Sequence, residues 1–192
     1  MSGRLLAAVV CCCMLLALAG CHDENQPRSR VVITRISAPG ESADLSSSVF
    51  QSDIVAEGED GLPGTPDDIV YEDEILVVLE NEPSSSMLSI DPEGAFGQVL
   101  ITGYRIEYSA NGDAIDPIEG AMHLLIPSGT QRIASVVLVS AEAKSQPPLS
   151  TLVETGGEIF GSATITLSGY EETSEDPIEV SGTIQIHFAN WL

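Results

Sequence analysis

Beyond residue 21 the sequence has no cysteine. Its four Cys are Cys11, Cys12, Cys13 and Cys21, so residues 22–192 can form no disulfide among themselves and offer no thiolate to a metal. Basic residues are nearly as scarce: 7 Lys and Arg stand against 29 Asp and Glu, for a net charge of −22. Nucleic-acid binding rests on Lys and Arg meeting phosphate, so nucleic acid is excluded as a partner, and anionic headgroups would repel the folded body. Aromatics make up 5% of the chain, with one Trp, Trp191. The longest apolar run, Leu5 to Ala19, falls short of the roughly 20 residues a spanning helix needs. Catalytic signatures are missing too. No G-x-S-x-G elbow, G-x-x-x-x-G-K-[ST] phosphate loop or H-E-x-x-H zinc helix occurs.

What is present begins at the N-terminus. Arg4 is the only charged side chain before His22, and the apolar run behind it ends abruptly at Gly20-Cys21, followed by His22-Asp23-Glu24. A charged start and a short apolar core are the marks of an export signal. Leu18-Ala19-Gly20-Cys21 resembles a lipobox, the signal of bacterial lipoproteins. That resemblance implies cleavage between Gly20 and Cys21, a diacylglyceryl group on the Cys21 thiol and attachment to a membrane through lipid. His22, rather than Asp, follows the cysteine, which by the same resemblance favours the outer membrane of a Gram-negative envelope. The expected organisation is a signal over 1–20, a lipidated cysteine and polar tether over 21–30, and one domain over 31–192.

Period two runs through the body. In residues 159–167 the odd positions are mostly apolar or small and the even ones mostly polar; Val180, Ile184, Ile186 and Phe188 continue the pattern after the polar loop GYEETSEDP. This predicts a hairpin with one buried and one wet face. Ile165 and Ile186 point inward, Thr164 and His187 outward, and Gly161 and Gly182 lie where only a small residue fits against a facing sheet. Further strands are predicted at 31–36, 49–55, 74–79 (near-continuously apolar, hence central), 99–108, 121–126 and 133–139, with a short helix at 149–154. Tyr104, Ile106 and Tyr108 share one side of their strand. Seven to eight strands with turn punctuation predict an all-β antiparallel sandwich with little helix.

The strand Tyr104-Arg105-Ile106-Glu107-Tyr108 looks like the third strand of a fibronectin type III or immunoglobulin-like domain. The whole mature chain also resembles a set of secreted bacterial lipoproteins of no assigned activity that end in a strand like Ile184 to Ala189. The immunoglobulin disulfide is absent here, and Trp191 lies too near the C-terminus to be the core Trp of that fold.

Three candidate sites follow. His123 and His187 would have to meet to form a zinc pair, with no third ligand in view; ordinary strand histidines are the simpler expectation. Glu57 to Asp68, EGEDGLPGTPDD, gathers Glu57, Glu59, Asp60, Asp67 and Asp68 with three Gly and two Pro. Carboxylate oxygens on a Gly- and Pro-shaped loop suit Ca²⁺, and the stretch resembles D-G-x-x-G-T-x-D-D loops of secreted bacterial proteins, several of which look calcium-binding. As an EF-hand it fails, because Ala56 and Gly58 occupy the first two ligand positions; a solvated acidic loop is the alternative. Paired carboxylates of a glycosidase could arise anywhere in so acidic a chain. The leading expectation is a lipid-anchored, non-catalytic envelope module that binds a protein or glycan. A calcium-dependent adhesion domain and a secreted hydrolase whose carboxylates converge in three dimensions are the alternatives.

Overall fold

Alternation along the last hairpin sets the frame. The computed structural model describes residues 29–40, 49–59, 65, 67–83, 97–110 and 114–191. In β7 (Glu158–Glu171), Ile159, Ala163, Ile165 and Leu167 are buried. In β8 (Pro177–Ala189), Ile184, Ile186 and Phe188 face the same way. The two strands pair antiparallel from Glu158↔Ala189 to Tyr170↔Pro177. On the opposite face the hydroxyls of Thr164 and Thr183 lie 3.2 Å apart.

The described residues form eight strands in two sheets, so the protein is all-β. One sheet has the order β1-β3-β6, from β1 (Ser29–Ser37), β3 (Asp73–Pro83) and β6 (Gln131–Val139). The other has the order β2-β8-β7-β4-β5, with β2 (Val49–Asp53), β4 (Val99–Ala110) and β5 (Ile118–Ile126). As its apolar run requires, β3 is central, with Ile75, Val77, Val78 and Leu79 all buried. One apolar cluster draws on both sheets, including Ile36, Leu79 and Leu138 from the first and Ile106, Ile165 and Phe188 from the second. Tyr104 and Tyr108 cross between them. The Tyr108 hydroxyl donates to the Leu138 carbonyl, and the Val137 amide donates to the Tyr104 hydroxyl at 3.3 Å. Burial lifts the Tyr108 phenol well above its ordinary value, with Asp73 adding to the effect.

Four expectations need correction. First, β2 ends at Asp53 and runs parallel to β8, from Val49↔Gln185 to Asp53↔Ala189. No hairpin constrains its direction, because the chain leaves β2 for the other sheet. Second, the strand predicted at 31–36 runs from Ser29 to Ser37. Ser29 is buried, pairs with Pro83 and donates its hydroxyl to the Gly97 carbonyl at 2.8 Å. Third, the short helix falls at Thr151–Thr155, here α2. A further turn, α1 (Ala141–Lys144), precedes it, its Ala143 amide held by the Ser140 hydroxyl at 3.1 Å. Fourth, a Cβ on Gly182 would lie 3.1 Å from Ile33 and 3.2 Å from Ile36 of the facing sheet, but one on Gly161 would lie 2.6 Å from the Ser109 carbonyl of the adjacent strand. Gly182 is small for the reason expected, and Gly161 for a different one.

Candidate functional site

The acidic stretch is an excursion between β2 and β3. Ala56 and Ile69 close it with a pair of backbone hydrogen bonds of 3.0 and 3.1 Å. Two of its carboxylates, Asp67 and Asp68, serve the loop itself. Asp68 accepts from the Thr65 amide at 3.1 Å and the Gly58 amide at 3.3 Å, and Asp67 accepts from the Thr65 hydroxyl at 2.6 Å. Glu57 and Glu59 are exposed, as are Ile69 and Tyr71 on the returning arm. Asp60 lies outside the described residues, as do Gly20 and Cys21. Among the described residues no three His, Cys, Asp or Glu side chains converge as a metal site.

At the base of this hairpin sits a residue that the sequence did not flag. Lys144, the last residue of α1, is 2% exposed. Its Nζ donates to the Asp53 carbonyl at 2.6 Å and to Asp73 Oδ1 at 2.9 Å. Ser52 Oγ donates to the other Asp73 oxygen at 2.6 Å. Asp53 is the last residue of β2 and Asp73 the first of β3, so one lysine ties both ends of the excursion to α1. Burial raises the Asp73 carboxyl above the usual carboxylate value, more strongly than the Ser52 hydrogen bond and the Lys144 ammonium pull it down.

Beside that base lies an aromatic pad on the outer face of the five-stranded sheet. Phe160 stacks on His187 with centroids 3.9 Å apart at 16°, and Trp191 meets His187 edge-on at 5.2 Å. Phe160 is 51% and Trp191 42% exposed. His187 is therefore on the outer face as expected, but it is covered: its side chain is 14% exposed. Acids border the pad on two sides. His187 Nε2 is 3.2 Å from Glu158 Oε2, in a geometry that closes no hydrogen bond. Asp53 Oδ1 accepts from the Trp191 amide at 3.3 Å. Asp53 thus connects the pad with the clamped hairpin.

Other expected groups stay apart. His123 lies on β5 and His187 on β8, with β7 and β4 between them, a separation of about 14 Å at the usual strand spacing. A hollow of about 410 Å³ between the 115–119 segment and the 140–149 segment is lined by Asp116, Glu119 and Glu142. Asp73, the carboxyl whose pKa is raised, is not part of it.

No family model matches the chain, and no curated protein matches it. Among solved structures, a protein from Archaeoglobus fulgidus is similar with a TM-score of 0.41 and 12% identity, over 64% of this chain and 88% of that one. A likeness that slight carries no functional argument, so function has to be argued from the site's own chemistry.

Proposed function

We propose that the chain is a lipid-anchored envelope protein with a non-catalytic, immunoglobulin-like β-sandwich module that binds a basic segment of a partner protein. The anchor rests on Leu18-Ala19-Gly20-Cys21. A lipidated Cys21 provides stable attachment when it carries more than one chain, and the polar residues 22–28 then stand between membrane and fold. The sandwich rests on two sheets that share one apolar cluster.

The observation that carries the binding function is the exposed pad of Phe160 and Trp191 around His187, bordered by Asp53 and Glu158. Aromatic faces attract Lys and Arg side chains, by about 0.5–2 kcal/mol per cation–π contact. The acids beside the pad and on the hairpin supply the complementary charge. No Lys or Arg occurs between Arg35 and Arg105, so the exposed Glu57 and Glu59 have no basic neighbour along that stretch. Complementary charge of this kind speeds encounter and selects partners.

Trp191 is the only tryptophan, so its fluorescence reports on the pad directly. Titration of the full chain with an Arg/Lys-rich peptide should change Trp191 emission saturably. The response should weaken with salt and disappear in Phe160→Ala. A response to neutral oligosaccharides with none to the peptide would replace the basic partner by a glycan; silence to both would remove the pad from the function. The anchor has its own test. Cys21→Ser should incorporate no labelled fatty acid, and a variant that still labels would end the lipobox assignment.

A further inference from the structure

We propose that Lys144 and Asp73 condense into an intramolecular amide, a covalent staple at the base of the acidic hairpin. The geometry is that of a poised pair. Lys144 Nζ is 2.9 Å from Asp73 Oδ1, which puts it about 3–4 Å from Cγ, close to the separation at which held groups react with very high effective concentration. The Asp53 carbonyl takes one N–H at 2.6 Å and so fixes the direction of the amine. Ser52 Oγ donates to Asp73 Oδ2 at 2.6 Å. That oxygen gains negative charge when the amine adds to Cγ, and a donor already in place stabilises it.

Burial supplies the drive. A desolvated ion pair recovers its hydration cost only in part. The amide carries no charge, and its formation releases a water. Desolvation raises the Asp73 carboxyl, which favours the first step, transfer of a proton from the Lys144 ammonium to Asp73 Oδ1. The neutral Nζ then bonds to Cγ. A second proton passes from Nζ to the Oδ1 hydroxyl, the Cγ–Oδ1 bond breaks and water leaves. Oδ2 becomes the amide oxygen, still held by Ser52, and the remaining N–H keeps its bond to the Asp53 carbonyl. Charge and atoms balance, and no oxidant or cofactor is needed. In a body without cysteine after Cys21, this bond would close the chain from residue 73 to residue 144 as a disulfide would, restricting the unfolded state.

The test is digestion at glutamate of the full chain, purified and denatured, followed by mass spectrometry. Cleavage after Glu72, Glu74, Glu142 and Glu154 should yield Asp73-Glu74 joined to the peptide 143–154, one water lighter than the two together. Fragmentation should locate the junction at Lys144. The Lys144→Arg variant should yield only the separate peptides. Recovery of the wild-type 143–154 peptide solely in linear form would overturn the proposal, as would the same water loss in Lys144→Arg. The wild-type digest decides even where the variant does not fold.

Discussion

At the scale of single residues, Ile186 and His187 are neighbours in sequence with opposite faces and different costs. Ile186 is buried in the cluster between the sheets, so Ile186→Ala should lower stability by about 2–5 kcal/mol, the range for opening a cavity under an aliphatic side chain. His187→Ala removes a stacked partner of Phe160 on the outer face and should cost about 0.5–1.5 kcal/mol. Urea unfolding of both variants measures the difference, and equal losses would contradict the inward and outward assignment. The direction of each side chain was legible in the alternation of residues 180–188. The covering of His187 was not, because its partners arrive from other places: Phe160 from the paired strand and Trp191 from beyond the end of β8. Lys144 was illegible for a stronger reason. Lysine is among the residues least often fully buried, and its partners Asp53 and Asp73 are 91 and 71 positions away.

At the scale of elements, the two glycines of the last hairpin separate two kinds of close packing. A Cβ at Gly182 meets the side-chain methyls of Ile33 and Ile36 at 3.1 and 3.2 Å. Those side chains can yield, so Gly182→Ala should cost about 1–3 kcal/mol, as moderate overpacking does. A Cβ at Gly161 meets the Ser109 carbonyl at 2.6 Å. Backbone in a paired strand cannot move without loosening its ladder, so Gly161→Ala should destabilise more than Gly182→Ala. Thermal melts of the two variants rank them, and the reverse order would mean that β4 yields more easily than Ile33 and Ile36. Strand existence was readable because period two survives wherever one face is buried. Strand direction was not. Hairpin neighbours such as β7 and β8 are antiparallel by connection, whereas β2 meets β8 across most of the chain and runs parallel. The helical turn α1 escaped notice because four residues are too few to show a period, although Ser140 ahead of it is a good capping residue.

At the scale of the whole molecule, the excess of acid decides how salt acts. A net charge of −22 repels itself, and the repulsion is strongest where like charges crowd without basic neighbours, as along Glu57, Glu59, Asp60, Asp67 and Asp68. The composition made that tension visible in advance; the clamp that holds the hairpin ends against it was visible only in three dimensions. Sodium chloride should therefore raise the melting temperature, since the Debye length falls to about 10 Å at 0.1 M and screens exposed pairs. Calcium has two ways to act, and they separate in a titration. As a diffuse counterion it should match sodium chloride at equal ionic strength. As a bound ligand it should saturate at low concentration and raise the melting temperature with the logarithm of its concentration. The described part of the loop favours the first outcome, because Asp68 already accepts from the Thr65 and Gly58 amides and Asp67 from the Thr65 hydroxyl. The expected result is one curve for both salts at equal ionic strength, in the wild type and in an Asp60→Asn/Asp67→Asn variant alike. A calcium-specific rise that the double variant abolishes would instead make the hairpin a cation site, with Ca²⁺ replacing the loop's own donors as the partner of those carboxylates.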